Sequence, residues 1–331
     1  KLETDNGLAG WGEFAPLGSW YSAAFTVGAR AGLQELLPQL LGEDPCDVVA
    51  INARMDDLLN GHPYIKTPID MACWDIYGKS EGLPLAELSG GRFGDSVLLY
   101  RSVSQAEPSV MVEQAKQYVA EGYTRLQVKV GDDPETDSQR MNAVRSAVGD
   151  DIQLLADANG AWGVEAAARF VELMGDADYR LEQPCMSMRE NAAVYRQTQR
   201  TMILDESIET HDDLLDACDA GVVNGITIKL SRVGGISKAR DIRDTAVSKG
   251  LQVCIEDTGG SDIDTAATTH LMLSTPEASR SHTVDFMNWV TVSNANGMPP
   301  TRNGRVAAPR GAGLGLEVLE SAFDAALMVF E

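Results

Sequence analysis

The chain has 331 residues, with 27 Lys and Arg against 49 Asp and Glu, a formal charge of −22. At 44% hydrophobic and 23% charged residues it has the composition of a folded globular protein, long enough for one large domain with or without a smaller one. The acidic excess argues against a nucleic-acid partner, which needs Lys/Arg stripes to displace counterions, and no apolar run approaches the roughly 20 residues of a membrane helix.

In chain order, Leu2 to Trp11 reads as a strand turning at Asp5-Asn6-Gly7, and Gly10-Trp11-Gly12-Glu13 closes it. Lys1 is not a natural start, so a partner strand is expected upstream of this numbering. A small and aromatic loop, Pro16 to Tyr21, leads into helical spacing over Ala23–Leu41 and Val48–Leu59. A third helix is expected to open at Thr67-Pro68 and run to Lys79, with Pro at its first position. Residues 1–95 therefore read as a small α+β domain.

From residue 96 short β-branched runs alternate with amphipathic segments, the pattern of repeated βα units. Eight strands are expected: Val97–Ser102, Arg125–Val130, Gln153–Ala156, Tyr179–Glu182, Met202–Leu204, Gly225–Leu230, Leu251–Ile255 and Ser281–Val284. Their number and spacing predict a (β/α)8 barrel over 96–290. No G-x-G-x-x-G or P-loop follows any strand, so a nucleotide site lacks its signature. The tail, 291–331, is Gly/Pro/Asn-rich and then expected to be helical, long enough to return to the first domain. The cysteines, Cys46, Cys73, Cys185, Cys218 and Cys254, are odd in number and dispersed without C-x-x-C. They are expected to be buried small apolar side chains in a reducing cytoplasm, not disulfides or zinc ligands.

Catalytic side chains of such barrels project from the C-terminal ends of the strands. Those ends carry Lys129, Asp157, Glu182, Asp205, Lys229 and the pair Glu256/Asp257, at successive spacings of 28, 25, 23, 24 and 27 residues. Charged residues ending apolar strands are costly unless paired or used. Three carboxylates on adjacent strands form an all-oxygen site suited to a hard divalent cation, most naturally Mg2+ with Mn2+ as a substitute. Lysines flanking that triad would stand on opposite sides of a bound carboxylate substrate. There a Lys of lowered pKa could take the α-proton while the cation stabilises the enediolate.

These segments, together with Gly10-Trp11-Gly12-Glu13, Asp70 to Asp75 with Gly78-Lys79, Ala156-Asp157-Ala158-Asn159, Leu181-Glu182-Gln183-Pro184, Leu204-Asp205-Glu206-Ser207 and Lys229 to Gly235, resemble the muconate-lactonizing branch of the enolase superfamily over nearly the whole chain. The resemblance implies a modified (β/α)8 barrel with an α+β capping domain, built from residues 1–95 and the tail through Gly311 to Leu316. It also implies a homo-oligomer and a small carboxylate substrate. It assigns metal ligation to Asp157, Glu182 and Asp205, paired acid/base roles to Lys129 and Lys229, and supporting positions behind them to Asn159 and Glu206. None of His62, His211, His270 and His282 occupies the position of the mandelate racemase base.

The chain departs from the family where Gln127 replaces the first Lys of Lys-x-Lys, removing a positive charge beside Lys129. Gln127, Glu182 to Cys185 and Lys229 to Arg232 resemble the subgroup acting on proline derivatives, its dehydratases of cis-3-hydroxy-L-proline and its 2-epimerases of hydroxyproline betaine. Trp20 and Tyr21 could face a substrate ammonium by cation–π contact, and Asp257 or Glu256 could pair with it or orient Lys229. Asp285, near the last strand end, is a further candidate. The resulting expectation is cis-3-hydroxy-L-proline dehydration. Betaine epimerization, muconate-type cycloisomerization and acylamino-acid or dipeptide racemization stand as alternatives within the family. A Schiff-base lyase and a non-catalytic binding protein are the rivals outside it.

Overall fold

The computed structural model describes residues 1–331. A two-stranded hairpin opens the chain, β1 (Leu2–Glu3) pairing antiparallel with β2 (Ala9–Gly10) around the expected turn. Three helices follow, α1 (Thr26–Leu36), α2 (Val48–Leu58) and α3 (Pro63–Glu81), then the single turn α4 (Leu85–Leu88). Helix α3 starts four residues earlier than expected. Pro63 takes its first position, where a missing N–H costs nothing, and Pro68 lies inside it. Burial explains that tolerance, since Ile65, Ile69, Met71, Ala72, Cys73, Trp74 and Ile76 are all buried and hold the helix through tertiary packing.

The expected first barrel strand splits in two. β3 (Val97–Leu98) pairs with the tail, whereas β4 (Arg101–Val103) begins the sheet. The sheet continues through β5 (Arg125–Lys129), β6 (Gln153–Asp157), β7 (Arg180–Glu182), β8 (Met202–Leu204), β9 (Val223–Lys229) and β10 (Gln252–Glu256), seven strands in sequential parallel order. Between them lie α5 (Pro108–Ala120), α6 (Pro134–Val148), α7 (Val164–Met174), α8 (Met188–Thr198) and α9 (His211–Ala220), then α10 (Leu230–Val233) and α11 (Ile236–Ser248). Helix α12 (Asp262–Leu273) follows β10. Strands such as Leu154-Leu155-Ala156 and Met202-Ile203-Leu204 are apolar at every position because helices cover one face and the barrel interior the other.

The expected eighth strand, Ser281–Val284, is not a regular strand. Arg280 and Thr283 instead make isolated parallel bridges to Val253 and Leu99. Ser281 N donates to Val253 O at 2.8 Å, and Thr283 N donates to Leu98 O at 3.0 Å. This irregular segment therefore joins the edge strand β10 to the stretch Leu98–Tyr100 that leads into β4, the opposite edge strand.

The tail forms no α-helix, only a single 3-10 turn at Glu320–Ala322. It forms β11 (Ala295–Asn296), which pairs with β13 (Glu317–Val318), and β12 (Arg305–Val306), which pairs with β3. Near its end Gly313 O accepts from Leu85 N at 2.8 Å, and Leu314 N donates to Asp75 Oδ1 at 2.9 Å, so the tail packs on α3 and α4. One continuous apolar core includes Tyr64, Met71 and Trp74 of α3 together with Val128, Ile226 and Ile255 of the sheet. All five cysteines are unpaired, but Cys46 and Cys218 are only half-buried because each sits at a helix end facing solvent. No helix is long and apolar enough to cross a membrane.

Candidate active site

Parallel pairing sets the charged strand ends side by side. Lys129 is registered opposite Asp157, Asp157 opposite Glu182, and Lys229 opposite Glu256, while Asp205 directly follows the end of β8. Lys129 Nζ donates to Asp157 Oδ2 at 2.5 Å and to Asn159 Oδ1 at 3.0 Å. On the other flank Lys229 Nζ donates to Asp205 Oδ2 at 2.5 Å and lies 3.3 Å from Glu256 Oε1. The two ammonium groups thus bracket the three carboxyl groups.

Glu182 is fully buried between them. Its Oε2 accepts from Gln127 Nε2 at 2.8 Å and its Oε1 from Thr227 Oγ1 at 2.9 Å. Burial, and after it the charges of Asp157, Asp205 and Glu256, push its carboxyl well above the usual range. Gln127, the departure from Lys-x-Lys, orients this carboxyl from β5, across β6. A lysine there would place a charge on Glu182 that the amide does not.

Asp205 is held low. Burial opposes its charge, but Arg232 and Lys229 outweigh burial. Arg232 Nη1 donates to Asp205 Oδ1 at 2.6 Å and to Asp205 O at 2.7 Å. Both lysines differ from expectation. Burial works against their charge, yet Asp157 raises Lys129, and Asp205 followed by Tyr21 raises Lys229 well above its ordinary value. Each ammonium is paired with the carboxylate beside it, and an ion pair favours the charged form.

The oxygen-only donor set and the mutual repulsion on Glu182 suit a hard divalent cation. In the present side-chain arrangement no three acidic, histidine or cysteine groups converge as ligands, because Asp157 and Asp205 are turned onto the lysines.

Of the supporting residues, Asn159 and Glu206 meet: Asn159 Nδ2 donates to Glu206 Oε1 at 3.0 Å. Asn159 takes φ 45°, and its N–H caps Asp157 Oδ1 at 2.9 Å. Glu206 Oε2 is buried without a donor, and burial followed by Asp205 pushes this carboxyl up to about 7. Tyr21 enters from the capping loop. Its hydroxyl donates to Glu206 Oε1 at 3.1 Å and accepts from Lys229 Nζ at 2.6 Å and Arg232 Nη2 at 3.2 Å.

Other candidates fall elsewhere. Trp20 is 78% exposed and does not join the site. Asp257 faces the loop after Lys229, where it accepts from Ser231 N at 3.0 Å and Thr258 N at 2.7 Å. Asp285 is spent on Arg101 at 2.8 Å and on Asn288 and Thr301, away from the lysines. Sequence reasoning missed Arg232 and Gln183. Arg232 stands three residues after Lys229, one helical turn on, which was the available signal. Gln183 Oε1 accepts from Asp205 N at 2.8 Å, and its place beside Glu182 gave no hint of that contact.

Comparison with known proteins supplies the family. Residues 1–90 match the mandelate racemase/muconate lactonizing enzyme N-terminal domain, and residues 110–322 match the enolase C-terminal domain-like family. A cis-3-hydroxy-L-proline dehydratase of Roseibium aggregatum is 43% identical over 316 residues, 96% of this chain and 86% of that protein. A hydrophobic dipeptide epimerase of Enterococcus faecalis is 33% identical over 258 residues, 77% of this chain and 72% of that one. The structure of an enolase superfamily member from Roseovarius nubinhibens ISM, complexed with magnesium, superposes with TM-score 0.94 at 37% identity, covering 98% of this chain and 89% of that one. With both its N-terminal segment and its sheet-forming remainder matched, the chain belongs to the mandelate racemase/muconate lactonizing enzyme family of the enolase superfamily.

Proposed function

We propose that the protein dehydrates cis-3-hydroxy-L-proline. The observation that carries this reading is the row itself, in which Lys129 and Lys229 bracket Asp157, Glu182 and Asp205 from opposite sides. In the cis-3-hydroxy isomer the hydroxyl and the carboxylate share one face of the ring, so the α-proton lies on the other. One lysine, as the free amine, takes that proton, and the C–H electrons move into the carboxylate to form an enediolate. The opposite lysine, as ammonium, protonates the 3-hydroxyl. The C3–O bond then breaks, water leaves, and the C2=C3 enamine tautomerises to a pyrroline carboxylate.

Asp157, Glu182 and Asp205 would hold Mg2+, or Mn2+ in its place, whose charge offsets the enediolate and lowers the proton affinity of both lysines. Glu256, 3.3 Å from Lys229 Nζ, would face the ring ammonium of the substrate. Five unpaired cysteines suit the reducing cytoplasm in which we place this reaction.

Betaine epimerization would use the same lysines without a leaving group. The aromatic side chains favour dehydration instead, because a quaternary ammonium calls for an aromatic cage. Trp20 points outward and Trp289 lies against Arg101, so neither tryptophan contributes a ring to the site.

Proton NMR in deuterium oxide with Mg2+ tests the reading. Loss of the cis-3-hydroxy-L-proline signals with appearance of a pyrroline carboxylate is expected. Deuterium at Cα of a proline betaine without elimination would replace the reading by epimerization, and no reaction with any proline derivative would end it. Tyr21→Phe is expected to lower kcat/KM for cis-3-hydroxy-L-proline about tenfold, the value of one hydrogen bond to charged groups. Trp20→Ala should change it less than about twofold, as for an exposed position.

A further inference from the structure

A second acidic cluster lies beneath the loop that carries Tyr21. Glu13 Oε2 accepts from Ser261 N at 3.1 Å, Ser261 Oγ at 2.7 Å and Asp264 N at 3.0 Å. The carboxylate thereby satisfies the first-turn N–H groups of α12 and faces the positive end of that helix. Beside it Thr258 Oγ1 donates to Ala15 O at 3.1 Å. Residues 13–15, which lead into the Tyr21 loop, are thus docked on the loop between β10 and α12.

Asp264 sits in this interface without a counter-charge. It is 2% exposed, and its Oδ2 has no hydrogen-bond donor. The charges it feels are those of Asp257 first, then Glu13 and Glu256, all acidic. Of the other charged groups around α12, Asp262 faces Glu13, Arg243 is spent on Leu271 O and Ser274 at the far end, and Asp285 is paired with Arg101. Asp257 is better provided: it accepts from Ser231 N, Thr258 N and Ser231 Oγ, and it also feels Lys229.

Two adjacent carboxyl groups in a dry site do not both ionise. The member with three donors keeps the charge, and the member with none keeps the proton. Consistent with this, burial and then Asp257 push Asp264 well above the carboxylate range, whereas burial brings Asp257 only to about 6.

We propose that Asp264 is a positioning residue whose protonated carboxyl donates to Asp257, tying the Glu13-docked loop to Ser231 and so to the turn after Lys229. The proposal deepens the reading above, because the turn it steadies carries one of the two proton-transfer lysines. It also makes docking of the loop proton-dependent. An undocked Asp264 in water releases its proton near pH 4, whereas the docked one keeps it. Docking therefore weakens as pH rises above that value, by up to about tenfold per unit.

Hydrogen exchange of residues 14–25 in the full chain, followed by mass spectrometry at pH 6 and pH 8.5 and normalised to unstructured peptide rates, tests this without substrate or metal. In the wild type, protection is expected to fall about tenfold or more between the two pH values. Asp264→Asn offers Asp257 an N–H at every pH, and its protection should change less than about twofold. Asp264→Ala offers none and should already be as unprotected at pH 6 as the wild type is at pH 8.5.

Equal protection of the Ala variant and the wild type at pH 6 would overturn the proposal. So would a pH-independent wild type, or an Asn variant that follows the wild type's fall. Should Asp264→Ala not fold, the comparison of wild type with Asn decides alone. Failure of cis-3-hydroxy-L-proline to react would leave this result standing, so the two readings fail separately.

Discussion

Replacing Lys229 by methionine is expected to lower kcat for cis-3-hydroxy-L-proline about 10⁴-fold, roughly 5 kcal/mol of barrier. Methionine keeps the length of the side chain and removes only its proton chemistry. The fold should survive, because Asp205 retains both contacts from Arg232 and so is not left as an unpaired buried charge. Lys129→Met is expected to cost a similar factor, since Asn159 still caps Asp157 through its backbone N–H. Cα deuterium exchange separates the two roles. The variant that loses both exchange and elimination lacks the base, whereas the one that exchanges without eliminating lacks the acid. Turnover above about 1% of wild type in either variant would remove that lysine from the reaction.

The protonation of these lysines decides when the site can work. Both are raised by neighbouring carboxylates, so both are ammonium groups at neutral pH in the present arrangement. Either can serve as an acid as it stands. Neither can serve as a base until positive charge among Asp157, Glu182 and Asp205 reduces the pull of those carboxylates. The raised carboxyl of Glu182 and the raised lysines are therefore two faces of one charge distribution.

The largest stability effect is expected at Gly235. Asp70, fully buried in α3, accepts from Ser237 N at 3.0 Å, Ser237 Oγ at 2.6 Å and Asn52 Nδ2 at 2.5 Å, joining the capping helices to the start of α11. A Cβ on Gly235 would lie 2.4 Å from Asp70 Oδ2, and the residue holds φ +112°. Gly235→Ala therefore combines a clash against a fixed carboxylate with backbone strain, and about 3 kcal/mol or more should be lost. Gly250 provides the control, since it holds φ +74° with nothing within 4 Å of a built Cβ. Gly250→Ala should cost only about 1–2 kcal/mol, the left-handed backbone penalty alone. Urea unfolding of both variants measures the difference, and equal losses would show that the contact with Asp70 carries no weight.

Much of the architecture was legible in the residues because the signals were local and periodic. Apolar runs ending in Lys129, Asp157, Glu182 and Lys229 mark where strands stop, since a charge ends what an apolar interior can bury. Equal spacing then orders those ends around a sheet. Elements that depend on distant partners could not be read the same way. Ser281–Val284 has strand composition, but its bonds go to Val253 of β10 and Leu98 of β3, so it links two elements without forming a regular strand. Val97–Ser102 divides because Arg305–Val306 claims its first half.

The same division applies to the site. Sequence by itself determined which residue types face one another, because register in a parallel sheet follows from chain order. Only the tertiary structure decided what each side chain does there. It set Gln127 on Glu182, turned Tyr21 inward and Trp20 outward, and spent Asp285 on Arg101. Those outcomes rest on contacts between residues far apart in the chain, and on charges whose ionisation depends on all their neighbours at once.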